Sequence, residues 1–337
     1  MTPLARAQSR LFRSSWRNLR PRKPADLRAG ILASPFVITR AQVGVSTTAM
    51  GADGTWATFA ADIARFHGLG RRFLFEGQRT NGVRNPRGEG SAAGTPGTTP
   101  TNWNMAVPGG MTRETLAPVT INGIPCIPIR WSGTTAGATS VPVFESSGIF
   151  SVTSGQTFTS SAFLALSVAS GGTPAISLAN REFDGAAAVP VPDSSAPALA
   201  LTTTLQRFSR TTTAGGTTVS AVPSLRITLA AGVAYDFTIY HAWPQIELGA
   251  FATSPILPPA SSPAAATRTG DFVSAPLSAW GIGGSGACTV IAALTLTGIE
   301  PSAACFPIQI DDGTANNRQA LTILGGGNVH PCRGTAG

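Results

Sequence analysis

The sequence predicts a mainly β protein built as a two-sheet sandwich or jelly roll, and three observations carry that expectation. Gly (38) and Pro (26) punctuate the 337 residues at short intervals, as turns between many strands require. Charged residues make up 12%, about half the usual share, and no sustained heptad pattern accompanies them, which excludes a long coiled coil. Several stretches alternate with period two, the pattern of a half-buried strand. Hydrophobic residues reach 42%, enough to fill a core, and this argues against charged disorder.

The formal charge of +8 sits almost wholly at the start of the chain. Residues 1–30 hold eight Arg and Lys side chains against Asp26 alone, a net of +7. The rest is close to neutral, so a sequence-specific nucleic-acid-binding fold with a basic body loses its support. Arg6, Arg10, Arg13, Arg17 and Arg20 recur at helical spacing, with Leu4, Leu11, Phe12, Trp16 and Leu19 on the other side of the wheel. This predicts a basic amphipathic helix stopped by Pro21 and Pro24. Such a helix suits an acidic protein surface, packaged nucleic acid, an anionic membrane or an organellar transit role, with a solvated terminus as the plain alternative. No apolar run is long enough to span a membrane, and no apolar core of a secretory signal follows the basic start.

After a linker to residue 35, residues 36–101 read as an extended β stalk, with pieces such as Phe36-Val37-Ile38 and Thr55–Phe59 around the turn Gly51-Ala52-Asp53-Gly54. Residues 82–101 form a Gly/Thr/Pro loop expected to run over a surface or between subunits. Residues 102–273 read as the sandwich. Phe158, Ser160, Ala162, Leu164, Leu166 and Val168 alternate, as do Leu225, Ile227 and Leu229. Tyr235, Phe237, Ile239, His241 and Trp243 are expected on one strand face, with Asp236, Thr238 and Tyr240 on the other. Residues 274–337 predict a small β unit, with alternation at Val290–Leu296, Phe306–Ile310 and Leu321–Ile323. It is too short to bury a proper sandwich core alone, so it borrows strands or packs on a neighbour.

Catalysis finds no local support. Cys126, Cys288, Cys305 and Cys332 match no zinc spacing and read as buried thiols; Cys288–Cys305 or Cys305–Cys332 is a candidate disulfide if the protein meets an oxidising environment. His67 reads as a turn residue, His241 as a core histidine, and His330 lies in a Gly-rich tail. Nucleophile-elbow, metalloprotease and phosphate-loop motifs are absent. Asp311, Asp312, Asn316 and Asn317 fail the calcium-loop pattern and read as a hairpin turn. The expectation is therefore no enzyme, no metal and no cofactor. Trp103 and Trp131 are candidate platforms for sugar rings, with core packing as the plainer reading.

Particular stretches add a resemblance. Phe36–Ala41, Gly51–Gly54 and Ile63–Phe66 are followed by Phe73-Leu74-Phe75-Glu76-Gly77-Gln78-Arg79-Thr80-Asn81. Far downstream stand Trp243-Pro244-Gln245-Ile246-Glu247-Leu248-Gly249-Ala250-Phe251-Ala252-Thr253-Ser254-Pro255-Ile256 and Thr267-Arg268-Thr269-Gly270-Asp271. In this order, over about residues 36–273, the chain resembles a family of phage head spikes, head fibres and minor tail proteins, including spikes of gene transfer agents. Gly82 and Val83 stand where that family has a Leu pair, and Pro255 where it has Tyr.

The resemblance implies a carbohydrate-binding-module-like jelly roll, followed by a truncated lectin-like unit that a second spike subunit completes. It implies a structural component on the exterior of a phage-like particle, made in a bacterial cytoplasm. Arg6, Arg10, Leu11, Phe12, Arg13, Trp16 and Arg17 would anchor it to a capsid protein at a vertex. The chain would form a homopentamer or a fibre-like trimer and support adhesion to host capsular polysaccharide. Tail-fibre, stand-alone lectin and polysaccharide-degrading readings are the alternatives. Glu76, Arg79, Asn81, Gln245, Glu247, Thr253, Arg268 and Asp271 would be structural. Arg79 is expected to form a bidentate pair with a carboxylate such as Glu247 or Asp271, clamping the stalk to the sandwich.

Overall fold

The computed structural model describes residues 36–40, 44–136, 138–140, 144–145, 150–185, 187–188, 196–276, 305–311, 318–323 and 329–334. The expected N-terminal helix, with anchor residues Arg6, Arg10, Leu11, Phe12, Arg13, Trp16 and Arg17, lies outside these residues, as do Cys288 and the turn at 312–317.

The described chain is a mainly β jelly-roll sandwich. One sheet runs Gln206–Thr213, Thr157–Gly171, Ala234–Leu248, Ile124–Thr134, Met111–Thr115, with Val119–Ile121 also on Ile124–Thr134. The facing sheet runs Ala138–Ser140, Ser220–Leu229, Ala175–Asp184, Ala187–Ala188, with Phe150–Ser151 also on Ser220–Leu229. All pairs are antiparallel. The main core lies between the sheets: Ile127, Ile129, Trp131, Leu164, Phe237 and Ile239 of the first sheet face Ile176, Leu178, Leu225 and Ile227 of the second. The period-two pattern has this physical cause, since alternate side chains of each strand enter one dry layer. Cys126 is a buried thiol, and burial pushes its pKa up to about 12.

One expected face is interrupted. Tyr235, Phe237, Ile239 and His241 point into the core, but Trp243 does not. Between the pairs Phe163–Ala242 and Ser161–Gln245 the register shifts, so Trp243 and Pro244 together oppose Ala162. Trp243 takes a positive φ of 44°, an uncommon conformation for a bulky residue. This bulge flips the facing of everything after it. Trp243, Gln245 and Glu247 therefore leave the inner face, and Ile246 takes their place in a second inner cluster with Val83, Val152 and Phe158.

Residues 36–101 are not a free stalk. Ser46–Met50 and Trp56–Phe59 form a three-stranded sheet with Ile256–Leu257, Arg79–Asn81 pairs with Ala266–Arg268, and Val37–Thr39 pairs with Phe272–Ser274. Strands this short bury too little to stand alone. The Trp56–Phe59 strand packs on the outer face of the first sheet, where Trp56 meets Phe163 and Trp243 edge-on, with centroids 5.2 and 6.2 Å apart. The tight Asn122-Gly123 turn, both residues at positive φ, brings the Asn122 carbonyl 2.8 Å from the Trp56 N–H. The 82–101 loop is likewise buried in its first half, with Val83 and Asn85 almost inaccessible. Cys305–Asp311, Arg318–Ile323 and Val329–Gly334 form a three-stranded antiparallel sheet in that order.

Candidate functional site

The bulge and the folded-back N-terminal segment together assemble a buried ion clasp. Arg40, Arg65 and Arg268 are each fully buried, and three such cations are tolerable only if paired. Arg40 Nη1 donates to Asp271 Oδ1 at 2.7 Å, and its Nη2 to the carbonyls of Ala60 and Ile63. Arg65 Nη2 donates to Asp271 Oδ2 at 2.6 Å, and its Nη1 to Glu76 Oε2 at 2.8 Å, Ser254 Oγ and the Thr48 carbonyl. Arg268 Nη1 donates to Glu76 Oε2 at 2.9 Å and its Nη2 to the Gly77 carbonyl. Glu76 also accepts from the Ser254 N–H and hydroxyl. Burial alone pushes Glu76 up, but Arg268, Arg65 and Ser254 overcome it and hold its pKa down to about 2.

Every motif residue singled out in the sequence falls in or beside this clasp. Asn81 spends its whole amide: Oδ1 accepts from Val83 and Ile246 N–H, and Nδ2 donates to the Pro244 and Ile256 carbonyls. Gln245 donates to Glu247 Oε1 at 2.6 Å and accepts from the Ile256 N–H. Glu247 further accepts from the Thr253 N–H and hydroxyl, each at 2.8 Å.

The Arg79 pairing differs from expectation. Its Nε lies 3.6 Å from Glu247 Oε2, an ion pair without the bidentate fork, and its guanidinium sits over Phe251 at 5.6 Å. The Glu247 oxygens are turned to Gln245 and Thr253, and Asp271 is held by Arg40 and Arg65. Sequence reasoning missed Arg40, Arg65, Ser254 and Thr48. The available signal was that Arg40, Arg65 and Ser254 lie within the stretches that carry the resemblance.

A second polar array lies on the outer face of the same sheet, beyond the part that Trp56 covers. Register places Glu114 opposite Arg130, Arg130 opposite Thr238, and Thr238 opposite Ser167. The next row is Thr112, Ser132, Asp236 and Ser170. Arg130 grips Asp236 in a bidentate fork, Nε at 2.7 Å and Nη2 at 2.8 Å, and reaches Glu114 at 3.1 Å. These side chains remain partly exposed. The hydrogen bonds that Arg130 donates to Asp236 and then to Glu114 hold its pKa up, and the same bond to Asp236 holds the Asp236 pKa down. Half-buried Tyr240 borders the array. The result is a set of hydroxyl-bearing residues in register around one guanidinium ion-paired with two carboxylates. Its signal was in the sequence, in the alternation of Asp236, Thr238 and Tyr240.

Trp103 and Trp131 do not serve as sugar platforms, because both are core residues, 5% and 1% exposed. Trp131 stacks on Phe237, and Trp103 meets Phe144 edge-on while its Nε1 donates to the Asn85 carbonyl. A stacking platform needs a wet face, and the inter-sheet layer takes up both rings. His241 lies among them, with Nδ1 donating to the Ile127 carbonyl at 3.1 Å. Burial pushes its pKa down to about 4, so it is neutral at physiological pH. Among the described residues no group of three or more His, Cys, Asp or Glu could hold a metal ion, and no helix is long and apolar enough to cross a membrane.

No protein-family model matches the chain, and no curated protein matches it. Among solved structures, it is similar to the enzymatically active domain of tailspike protein 4 of bacteriophage CBA120, with 15% identity and a TM-score of 0.36 over 50% of this chain. That match spans only 21% of the tailspike domain. It is similar to a CBM22-1 xylan-binding domain from Paenibacillus barcinonensis, with 16% identity and a TM-score of 0.30, covering 48% of this chain and 99% of that one. It is also similar to the tripod from the baseplate of bacteriophage Tuc2009, with 13% identity and a TM-score of 0.31, covering 90% and 99%.

Proposed function

We propose that the protein is a non-enzymatic structural component of a phage-like particle, attached through its basic N-terminus and presenting a polysaccharide-contacting face. The observation that carries this reading is the clasp. Segments 76–81 and 245–271, which carry the resemblance to virion spikes, meet as a buried fastening between the N-terminal segment and the sandwich. Their acidic residues are engaged with arginines, hydroxyls and backbone N–H groups, which fits a load-carrying joint better than acid–base catalysis.

The ligand face is the Arg130–Asp236–Glu114 grid. Preformed hydroxyls and a fixed ion pair offer donors and acceptors at little ordering cost, as sugar hydroxyls require. With two carboxylates against one guanidinium, the grid favours neutral glycans over anionic ones. Attachment outside a capsid, rather than on a tail, and a second subunit completing residues 274–337 belong to the same proposal, as does assembly into a homo-oligomer.

A glycan array probed with the full chain tests the ligand face. Neutral polysaccharides should bind, and Arg130→Ala with Asp236→Ala should lose about tenfold or more in affinity without loss of fold. Binding unchanged in that variant removes the grid from the reading. A depolymerase assay that releases reducing ends would replace the structural reading with an enzymatic one.

A further inference from the structure

The two-stranded ribbon of Val37–Thr39 and Phe272–Ser274 carries two exposed apolar side chains, Val37 and Phe272, on its outer face beside Thr39 and Ser274. Val37 stands opposite Ser274, Ile38 opposite Val273 and Thr39 opposite Phe272. Alternation puts Ile38 and Val273 on one face and Val37 and Phe272 on the other. Ile38 is buried, whereas Val37 is 57% and Phe272 62% exposed. Two more exposed apolar residues lie on segments hydrogen-bonded to the residues that flank the ribbon. Ile63 (50% exposed) has its carbonyl held by Arg40, and Phe75 (49%) precedes Glu76, whose carbonyl accepts from the Asp271 N–H. Beside Ile63 an open cleft of about 420 Å³ is lined by Phe59, Ala64, Phe66, Asp53 and Arg71. The clasp fixes the backbone under this patch, so the patch is preorganised. Clustered exposed apolar side chains on a rigid support mark a docking surface.

We infer that this patch is the second half of the attachment surface and that its occupant is a protein with an acidic face beside an apolar one. The inference rests on the proposed attachment through the N-terminus. The first 30 residues carry a net of +7 and call for an acidic partner. Val37 follows residue 30 by seven residues, a span of at most about 25 Å. A partner that holds the basic segment therefore lies within reach of Val37, Phe272, Ile63 and Phe75. Two contacts joined by so short a tether reinforce each other through effective concentration.

The test uses the full chain and particles purified from a strain lacking its gene, with co-sedimentation as the readout. Val37→Thr with Phe272→Thr should lower attachment about tenfold or more, with melting temperature and light-scattering mass unchanged. Val219→Thr, which removes an apolar side chain 49% exposed elsewhere, should attach like the wild type. If the double variant melts early, Phe75→Gln reads the same surface. Wild-type attachment by these variants overturns the inference. A change in light-scattering mass also overturns it and assigns the patch to a contact between copies. Wild-type chain that fails to attach at all overturns instead the N-terminal attachment reading.

Discussion

The inter-sheet core and the ion clasp are equally dry and are held together by opposite physics. In the core, Trp131, Phe237, Ile239 and Leu225 gain from leaving water, and no single contact is indispensable. In the clasp, Arg40, Arg65 and Arg268 lose hydration, and each depends on a particular carboxylate or carbonyl to offset that loss. The core is plastic towards conservative change, while the clasp is intolerant of losing one partner. A fastening of this kind adds geometric specificity: Asp271 accepts Arg40 at one oxygen and Arg65 at the other, which admits one docking of the N-terminal segment.

The sharpest way to break this comparison is Asp271→Ala. It removes the carboxylate that pairs with Arg40 and one of the two that pair with Arg65, and should cost about 3–5 kcal/mol, whereas Ile239→Val in the core should cost about 0.5–1.5 kcal/mol. Denaturant melts of both variants check the contrast, and equal costs would erase it. Acid titration separates the two regions next. His241 has a folded pKa of about 4, below its ordinary 6.5. Its contribution is whole above pH 6.5 and falls as pH drops from 6.5 towards 4. Glu76, at about 2 against 4.5, contributes fully above pH 4.5 and loses that contribution as pH falls towards 2. Each step amounts to about 3 kcal/mol. Stability measured against pH should therefore fall first through the histidines and then through the clasp, and His241→Gln should shrink the upper step and leave the lower one, the remainder coming from His67, whose pKa burial also pushes down. The smallest effect is the Arg79–Glu247 pair. A double-mutant cycle should give a coupling near the low end of the range of about 0.5–3 kcal/mol, because the 3.6 Å contact lacks a fork. Strict additivity would remove the pair from the clasp.

Much of the architecture was legible in order of locality. The strand Thr157–Gly171 shows its inner face as Phe158, Ser160, Ala162, Leu164 and Leu166, because alternation is a local property of the chain. The turn at Gly51–Gly54 announces itself by composition and joins Ser46–Met50 to Trp56–Phe59. The motif residues also stood out, but their pairing did not. Asp271 could meet any cation in sequence terms, and the fold gives it Arg40 and Arg65, 231 and 206 residues away. For Trp103 and Trp131 core packing was the plainer reading and a wet sugar platform the sharper one, and the fold places both rings in the dry layer, since ring chemistry alone does not say which face of a sheet is covered.

The sequence by itself determined a β sandwich, a charge concentrated in a basic N-terminal segment, and the motif residues Glu76, Asn81, Glu247, Arg268 and Asp271, because alternation, charge counts and residue types are local. Only the tertiary structure decided that residues 36–101 fold back on the sandwich, that one bulge at Trp243 turns Gln245 and Glu247 from core to clasp, and that Arg130, Glu114 and Asp236 stay partly exposed on the outer sheet face among the described residues. Those outcomes depend on which distant surfaces bury each other, and the burial of Trp56 between Phe163 and Trp243 is a choice that no single segment encodes.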